Sequence, residues 1–221
     1  MRNRTCYAVL AVVSLLLYGC GGGYVAKYDI GLIDAERPTT AEEKYGRQIV
    51  KVIGEVGREI SHFEDDLVEI TWDATATEFG FELNNKSGEK IEILWDDGRY
   101  VDPNGADHRI VHSRVRLGDR DKPQKPTVVE AGGRVAETIR SADNIFYEQG
   151  INARWRQNPF FLEKANTSDE LSQQAEQVIH KTIKVVLPFR TAGDVHEYVF
   201  VFQIKDVDIT KAKGGADGSE E

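Results

Sequence analysis

Alternation of apolar and polar side chains runs through most of this chain and predicts a mainly β protein. The clearest case lies near the C-terminal end. Ile183, Val185, Leu187 and Phe189 alternate with Thr182, Lys184 and Val186, and Ala192-Gly193-Asp194 then turns the chain. Tyr198, Phe200, Phe202 and Ile204 share one face of the returning strand, with Val199 and Val201 on the other. Apolar residues on both faces predict a central strand. Phe79, Phe81 and Leu83 form another alternating run, followed by the turn cluster Asn84–Gly88 and then by Ile91, Ile93 and Trp95. This predicts a hairpin with one apolar face. Ile60–Phe63 and Leu67–Trp72 flank a turn at Glu64-Asp65-Asp66, and Arg99–Val101 and His108–Val111 flank Asp102-Pro103-Asn104-Gly105. Shorter strands are expected at Tyr28–Ile33 and Val135–Ile139.

Helical signals are few. Thr39 with Glu42, or Thr40 with Glu43, fits a capping box opening a short helix near Ala41–Tyr45. Ile49, Val52, Ile53, Val56 and Ile60 then have helical spacing. Gly46, Gly54 and Gly57 interrupt it, and each glycine weakens a helix by about 1 kcal/mol relative to alanine. Strand-like segments are therefore favoured there. Thr167 with Glu170 opens a second helix, with Leu171, Ala175, Val178 and Ile179 on one side. Asp119–Pro126 is a charged loop with two prolines. Asp143–Pro159 has no clear period, and its Ile145, Phe146, Tyr147 and Trp155 read as cover for an open sheet edge. Many short strands between Gly, Asn, Asp and Pro turns predict an immunoglobulin-like β-sandwich with one or two short helices. Neither an internal repeat nor a phosphate or dinucleotide loop is visible.

The N-terminal stretch changes the picture. Arg2 and Arg4 precede an apolar run from Tyr7 to Tyr18, and Leu17-Tyr18-Gly19-Cys20 follows it, with three glycines after the cysteine. The run is short of the about 20 apolar residues of a spanning helix, and the Ala-x-Ala site of an ordinary secretory signal is absent. The stretch resembles the lipobox signal peptide of bacterial lipoproteins, although Tyr18 stands where that family prefers a small residue. The resemblance implies that residues 1–19 are removed, that Cys20 is lipidated, and that acylated Cys20 anchors the protein in the bacterial cell envelope. Gly21 in place of Asp resembles the family's outer-membrane default for a Gram-negative cell. Residues 20–27 are then the lipidated cysteine and a flexible tether, 28–210 the β-sandwich, and 211–221 a Gly-rich, charged, disordered tail.

Composition narrows the chemistry. The chain holds only Cys6 and Cys20. Cleavage and lipidation would leave no free thiol, which excludes disulfides, a cysteine nucleophile and cysteine-ligated zinc. The formal charge is −9, and loss of Arg2 and Arg4 takes it to about −11. That sign disfavours nucleic acid and adhesion to an anionic membrane through a basic patch. The central stretch also resembles a group of bacterial surface lipoproteins of no assigned activity, through Phe79–Leu83, Asn85-Lys86-Ser87, Ile91–Asp97 and Val111-His112-Ser113.

Candidate sites are sparse. His108 and His112 are four apart, but on a strand that separates them by about 13 Å, too far to share one metal. Asp96, Asp97, Asp102, Asn104 and Asp107 are oxygen-rich without the EF-hand order, and turn chemistry accounts for much of the run. Ser113 adjoins His112, yet neighbours on a strand face opposite ways, and no nucleophile elbow is present. Trp95 shares its parity with Ile91 and Ile93 and reads as core. Trp155, in Arg154-Trp155-Arg156, is the tryptophan expected at a ligand or partner contact, with Tyr147 beside it. These readings predict a non-catalytic binding or assembly module without cofactor or metal. The envelope membrane and an envelope protein are its expected partners. A hydrolase acting on glycans or esters and a calcium-stabilised surface protein are the alternatives. A hydrolase would need a concave site where His and carboxylate groups converge.

Overall fold

The computed structural model describes residues 23–54 and 60–212. The expected signal peptide, Cys20 and all but the first residues of the expected tail lie outside them. The chain is mainly β. Strand β1 (Tyr24–Glu36) leads into helix α1 (Thr39–Tyr45) and β2 (Ile49–Val52). Strands β3 (Ser61–Glu64), β4 (Val68–Ala74) and β5 (Phe79–Asn85) follow. The middle of the chain forms β6 (Ile91–Ile93), β7 (Arg99–Val101), β8 (Asp107–His112), β9 (Thr127–Val129) and β10 (Arg134–Ser141). Next come the short strands β11 (Ile145–Glu148), β12 (Arg154–Gln157) and β13 (Lys164–Ala165). Helix α2 (Ser168–Val178) precedes the long closing pair β14 (Thr182–Thr191) and β15 (Asp194–Lys211).

One antiparallel sheet contains all of these strands except β11 and β12. Its main order is β13-β1-β15-β14-β7-β8-β10-β5-β4-β3-β2, with β6 and β9 branching from β14. The sheet curls at β7 and β8 so that its two halves face each other, which gives the expected sandwich-like core. Aromatic residues of β3, β4 and β5 meet those of β15 across it. Trp72 lies 4.9 Å from Phe200 and 5.3 Å from Phe202, ring centre to ring centre, and Phe79 lies 5.1 Å from Phe202. Curling is helped by two register shifts between β1 and β15. One of them leaves Ile33 unpaired on an exposed bulge.

The closing hairpin matches its alternation. Thr191 pairs with Asp194, and Ala192 and Gly193 between them both have positive φ, 50° and 90°, as a tight two-residue hairpin turn requires. Both strands are internal to the sheet. Helix α2 also begins where its sequence indicates, with the Thr167 hydroxyl accepting from the Glu170 amide at 3.3 Å. Helix α1 starts after Pro38 without a side-chain cap. Neither expected capping box forms there.

Other expectations are corrected by the pairing. Residues 79–95 do not form a hairpin. Strand β5 pairs with β4 and β10, whereas β6 crosses to the other half and pairs with β14 and β9. Buried Asn85 makes this crossing possible: its amide donates to the carbonyls of Glu89 and Val129 at 2.7 and 3.0 Å, and its oxygen accepts from Ser87. The tether expected up to Lys27 is also shorter, because Tyr24–Lys27 pair with β15 as the start of β1. Strand β15 correspondingly runs on to Lys211.

Asp65, read as a turn residue, is a buried hub. Arg37 Nη1 donates to its Oδ2 at 2.7 Å, and the Tyr198 hydroxyl donates to the same oxygen at 2.8 Å. The other carboxylate oxygen accepts from the amides of Leu67 and Val68. Arg37 also donates to the Gly46 carbonyl at 2.9 Å. Both charged side chains are almost wholly shielded from solvent. Burial, together with the Asp65 charge, pushes the Tyr198 hydroxyl well up from its ordinary value, so it stays protonated and keeps its proton for Asp65. Asp65→Ala is expected to cost about 3–5 kcal/mol, because it strands a buried guanidinium. Urea unfolding measures this, and the double change Arg37→Met with Asp65→Leu should be less damaging than Asp65→Ala alone. A loss from Asp65→Ala under about 1 kcal/mol would mean that Arg37 finds water instead.

Candidate functional site

The residues without a clear period, 143–159, fold as a separate hairpin. Strands β11 and β12 pair only with each other, with Tyr147 opposite Trp155 and Phe146 opposite Arg156. They do not cover the edge of the large sheet. Ile145 anchors the base by packing with Val111 and Ala142 in a small second core. Asn158 donates to the Asn144 carbonyl at 2.8 Å, and the Gln157 amide donates to the Thr77 carbonyl at 2.8 Å. Beyond this base the apolar side chains turn outward. Phe146, Tyr147, Ile151 and Trp155 are all exposed.

Tyr147 and Trp155, the two residues expected at a contact, lie edge to face 5.5 Å apart. Trp155 rests on the turn after β8. The Arg120 guanidinium sits 5.5 Å from its ring, a cation–π contact. Gly118 must be small here, because a Cβ would stand 2.8 Å from the indole nitrogen. The remaining tryptophans are buried. Trp95 stacks on His112 at 4.6 Å and donates to the Thr127 hydroxyl, consistent with its reading as core.

The turn under Trp155 reverses the overall charge. Residues 109–125 contain Arg109, Arg114, Arg116, Arg120, Lys122 and Lys125 against Asp119 and Asp121. A groove of about 480 Å³ runs through this segment, lined by Arg114, Arg116, Lys122, Lys125 and His112. Lys122 pairs with Asp119 at 2.7 Å and Arg114 with Glu137 at 2.8 Å. Among the described residues, Arg116 and Lys125 have no carboxylate at ion-pair distance.

Glu137 lies under this groove with its side chain fully shielded. His112 approaches it at 3.4 Å, and the Ser113 hydroxyl donates to the same oxygen. The expectation that His112 and Ser113 face apart is therefore corrected. Strand β8 ends at His112, and the turn that follows brings both residues to one carboxylate. The Ser113 hydroxyl is committed to Glu137 rather than to His112, so the pair is not arranged as nucleophile and base. Burial pushes the Glu137 carboxyl up, but bonds from His112 and Ser113 and the Arg114 charge outweigh it and hold the group below its ordinary value.

The other histidine belongs to a different place. His108 Nδ1 lies 2.6 Å from Asp143, and its Nε2 lies 3.5 Å from Asp102. The Asp143 bond raises the His108 pKa against the effect of burial, with Asp102 adding to it. His108 borders a cavity of about 300 Å³ between α2 and the β7–β8 hairpin, where Tyr100, Ser141 and Phe160 also contribute. The acids weighed for calcium are divided. Asp96 binds Arg109 and caps Gln124, Asp102 accepts from the Asn104 and Ala106 amides, and Asp107 faces Arg99. Among the described residues no group of three or more metal-ligating side chains comes together.

Comparison with protein-family models, with curated proteins and with solved structures finds no match. The surface must therefore be judged on its chemistry. Beyond Tyr147 and Trp155, the sequence reading misses Arg120, Gly118 and Glu137, although the run of basic residues from Arg109 to Lys125 was a visible signal.

The Glu137 arrangement predicts a pH dependence. A carboxyl held below its ordinary value stabilises the fold at pH above the unfolded glutamate range, and this contribution fades as pH falls through the folded pKa. Thermal unfolding of the wild type and Glu137→Gln should thus differ most near neutral pH and converge in acid. A gap that stays constant down to pH about 3 would sink the assignment, since the groups involved titrate in that range.

Proposed function

We propose that this protein is a membrane-anchored envelope lipoprotein whose β domain is a non-catalytic binding or assembly module. The observation that carries the binding role is the β11–β12 hairpin. It stands apart from the main sheet and presents Phe146, Tyr147, Ile151 and Trp155 to solvent. Exposed aromatic residues set beside arginine are the composition of protein-contact hot spots. The basic groove next to the hairpin favours an acidic surface on the partner. The lipid anchor rests on the lipobox around Cys20. Among the described residues no helix is long and apolar enough to cross a membrane.

The hydrolase reading has one observation in its favour, the concave site at His108 with two carboxylates near it. It lacks an activated serine, because Ser141, which lines that cavity, has no hydrogen-bond partner among the described residues. Binding is the reading that needs no such group.

Two measurements test the proposal. Photo-crosslinking in intact envelopes, with the probe at Ile151, should trap a defined protein. Trp155→Ala with Tyr147→Ala should reduce that yield by roughly tenfold or more, the loss typical of contact anchors. The same change at exposed Val195 should not. Equal trapping in both variants would remove the hairpin from the interface. Separately, Cys20→Ala should move the full chain from the membrane fraction to the soluble fraction, and unchanged attachment would defeat the anchor.

A further inference from the structure

The cavity beside His108 is distinct from the hairpin surface and offers a different chemistry. We propose that it binds a small, neutral, polyhydroxylated ring, of the size of a mono- or disaccharide. Its volume of about 300 Å³ is at the lower end of ligand pockets, about 300–1,000 Å³. One wall is α2, which contributes Gln174 and Gln177, with Lys181 just beyond its end. The opposite wall is the β7–β8 turn, and Phe160 and Leu162 supply apolar surface.

The hydrogen-bonding state of these groups selects the ligand. Among the described residues, the side-chain amides of Gln174 and Gln177 have no hydrogen-bond partner. Ser141 is almost completely buried, and its hydroxyl is also unpartnered. Leaving such a group unmet costs about 1–3 kcal/mol. Amides and hydroxyls both donate and accept. A ligand hydroxyl does the same, so it can satisfy either kind without a fixed charge. The charged groups at the site are largely matched already: His108 is held between Asp102 and Asp143. Lys181 alone would face a strongly anionic ligand, with both carboxylates opposing it. A purely apolar ligand would leave the amides and Ser141 unmet. A sugar ring combines hydroxyl edges with C–H faces that suit Phe160.

The test uses the full chain and saturation-transfer NMR with neutral sugars: glucose, galactose, N-acetylglucosamine and disaccharides of each. At least one should bind saturably. Gln174 and Gln177 are exposed on α2, so changing them should spare the fold. Gln174→Ala with Gln177→Ala should weaken binding by roughly tenfold, as loss of two hydrogen bonds implies. Gln177→Trp should block the cavity and abolish binding. Trp155→Ala should leave it unchanged, which keeps this result separate from the partner surface. Absence of saturable binding by every sugar, or binding indifferent to Gln177→Trp, would overturn the proposal. Cleavage of a disaccharide that disappears in His108→Asn would also overturn it, by making the cavity an active site.

Discussion

The Arg37 guanidinium and the Asp65 carboxylate meet 2.7 Å apart, with almost no solvent on either side. Two charges in such a place are tolerable only when their remaining hydrogen-bonding positions are also filled. Four parts of the chain fill most of them, leaving Arg37 Nε without a partner among the described residues: the segment after β1 brings Arg37, the β3–β4 turn brings Asp65, the residue after α1 brings the Gly46 carbonyl, and β15 brings Tyr198. A slip of one residue in any of these strands would separate the partners and turn the apolar face outward as well. The pair therefore acts as a register pin. The aromatic contacts between Trp72, Phe200 and Phe202 supply attraction between the halves, but attraction of that kind is less selective about alignment.

The strands whose alternation is strong were legible in sequence because burial on one face imposes a period of two. The closing hairpin and β5 are of this kind. Pairing was less legible than strand content. The run from Phe79 to Trp95 has the pattern of a hairpin, yet Asn85 ties the turn to β9 and sends β6 to the opposite half. No local pattern reveals a long-range bond of this sort. Asp65 escaped for a similar reason, since a turn acid and a buried acid look alike until their partners are known. The β11–β12 hairpin was obscured by its own exposure: its apolar residues face solvent, so they carry no core periodicity.

Trp155 and Tyr147 could be picked out by residue type, whereas the basic groove beneath them was hidden by the acidity of the whole chain. Net charge is a poor guide to a surface whose charges are segregated. Here the segment from Arg109 to Lys125 carries an excess of cations within a chain of formal charge −9. The support is as local as the charge. Gly118 lets the indole approach the turn, and Arg120 covers its face. The exposed aromatic is thereby held in one orientation, which lowers the entropy lost when it is covered.

Residue Tyr24 pairs with Lys211, and the Ala212 amide donates to the Gly23 carbonyl at 2.7 Å. The domain is thus nearly a closed loop of chain. Its entry and exit share one short stretch of ladder, so fraying at either end loosens the other. The same closeness makes the backbone path cyclically rearrangeable: a short bridge from Ala212 to Gly23 and a new opening at an exposed turn would preserve every strand pairing. Gly23 and Ala212 are thus a single point of attachment for anything fused to either end of the domain.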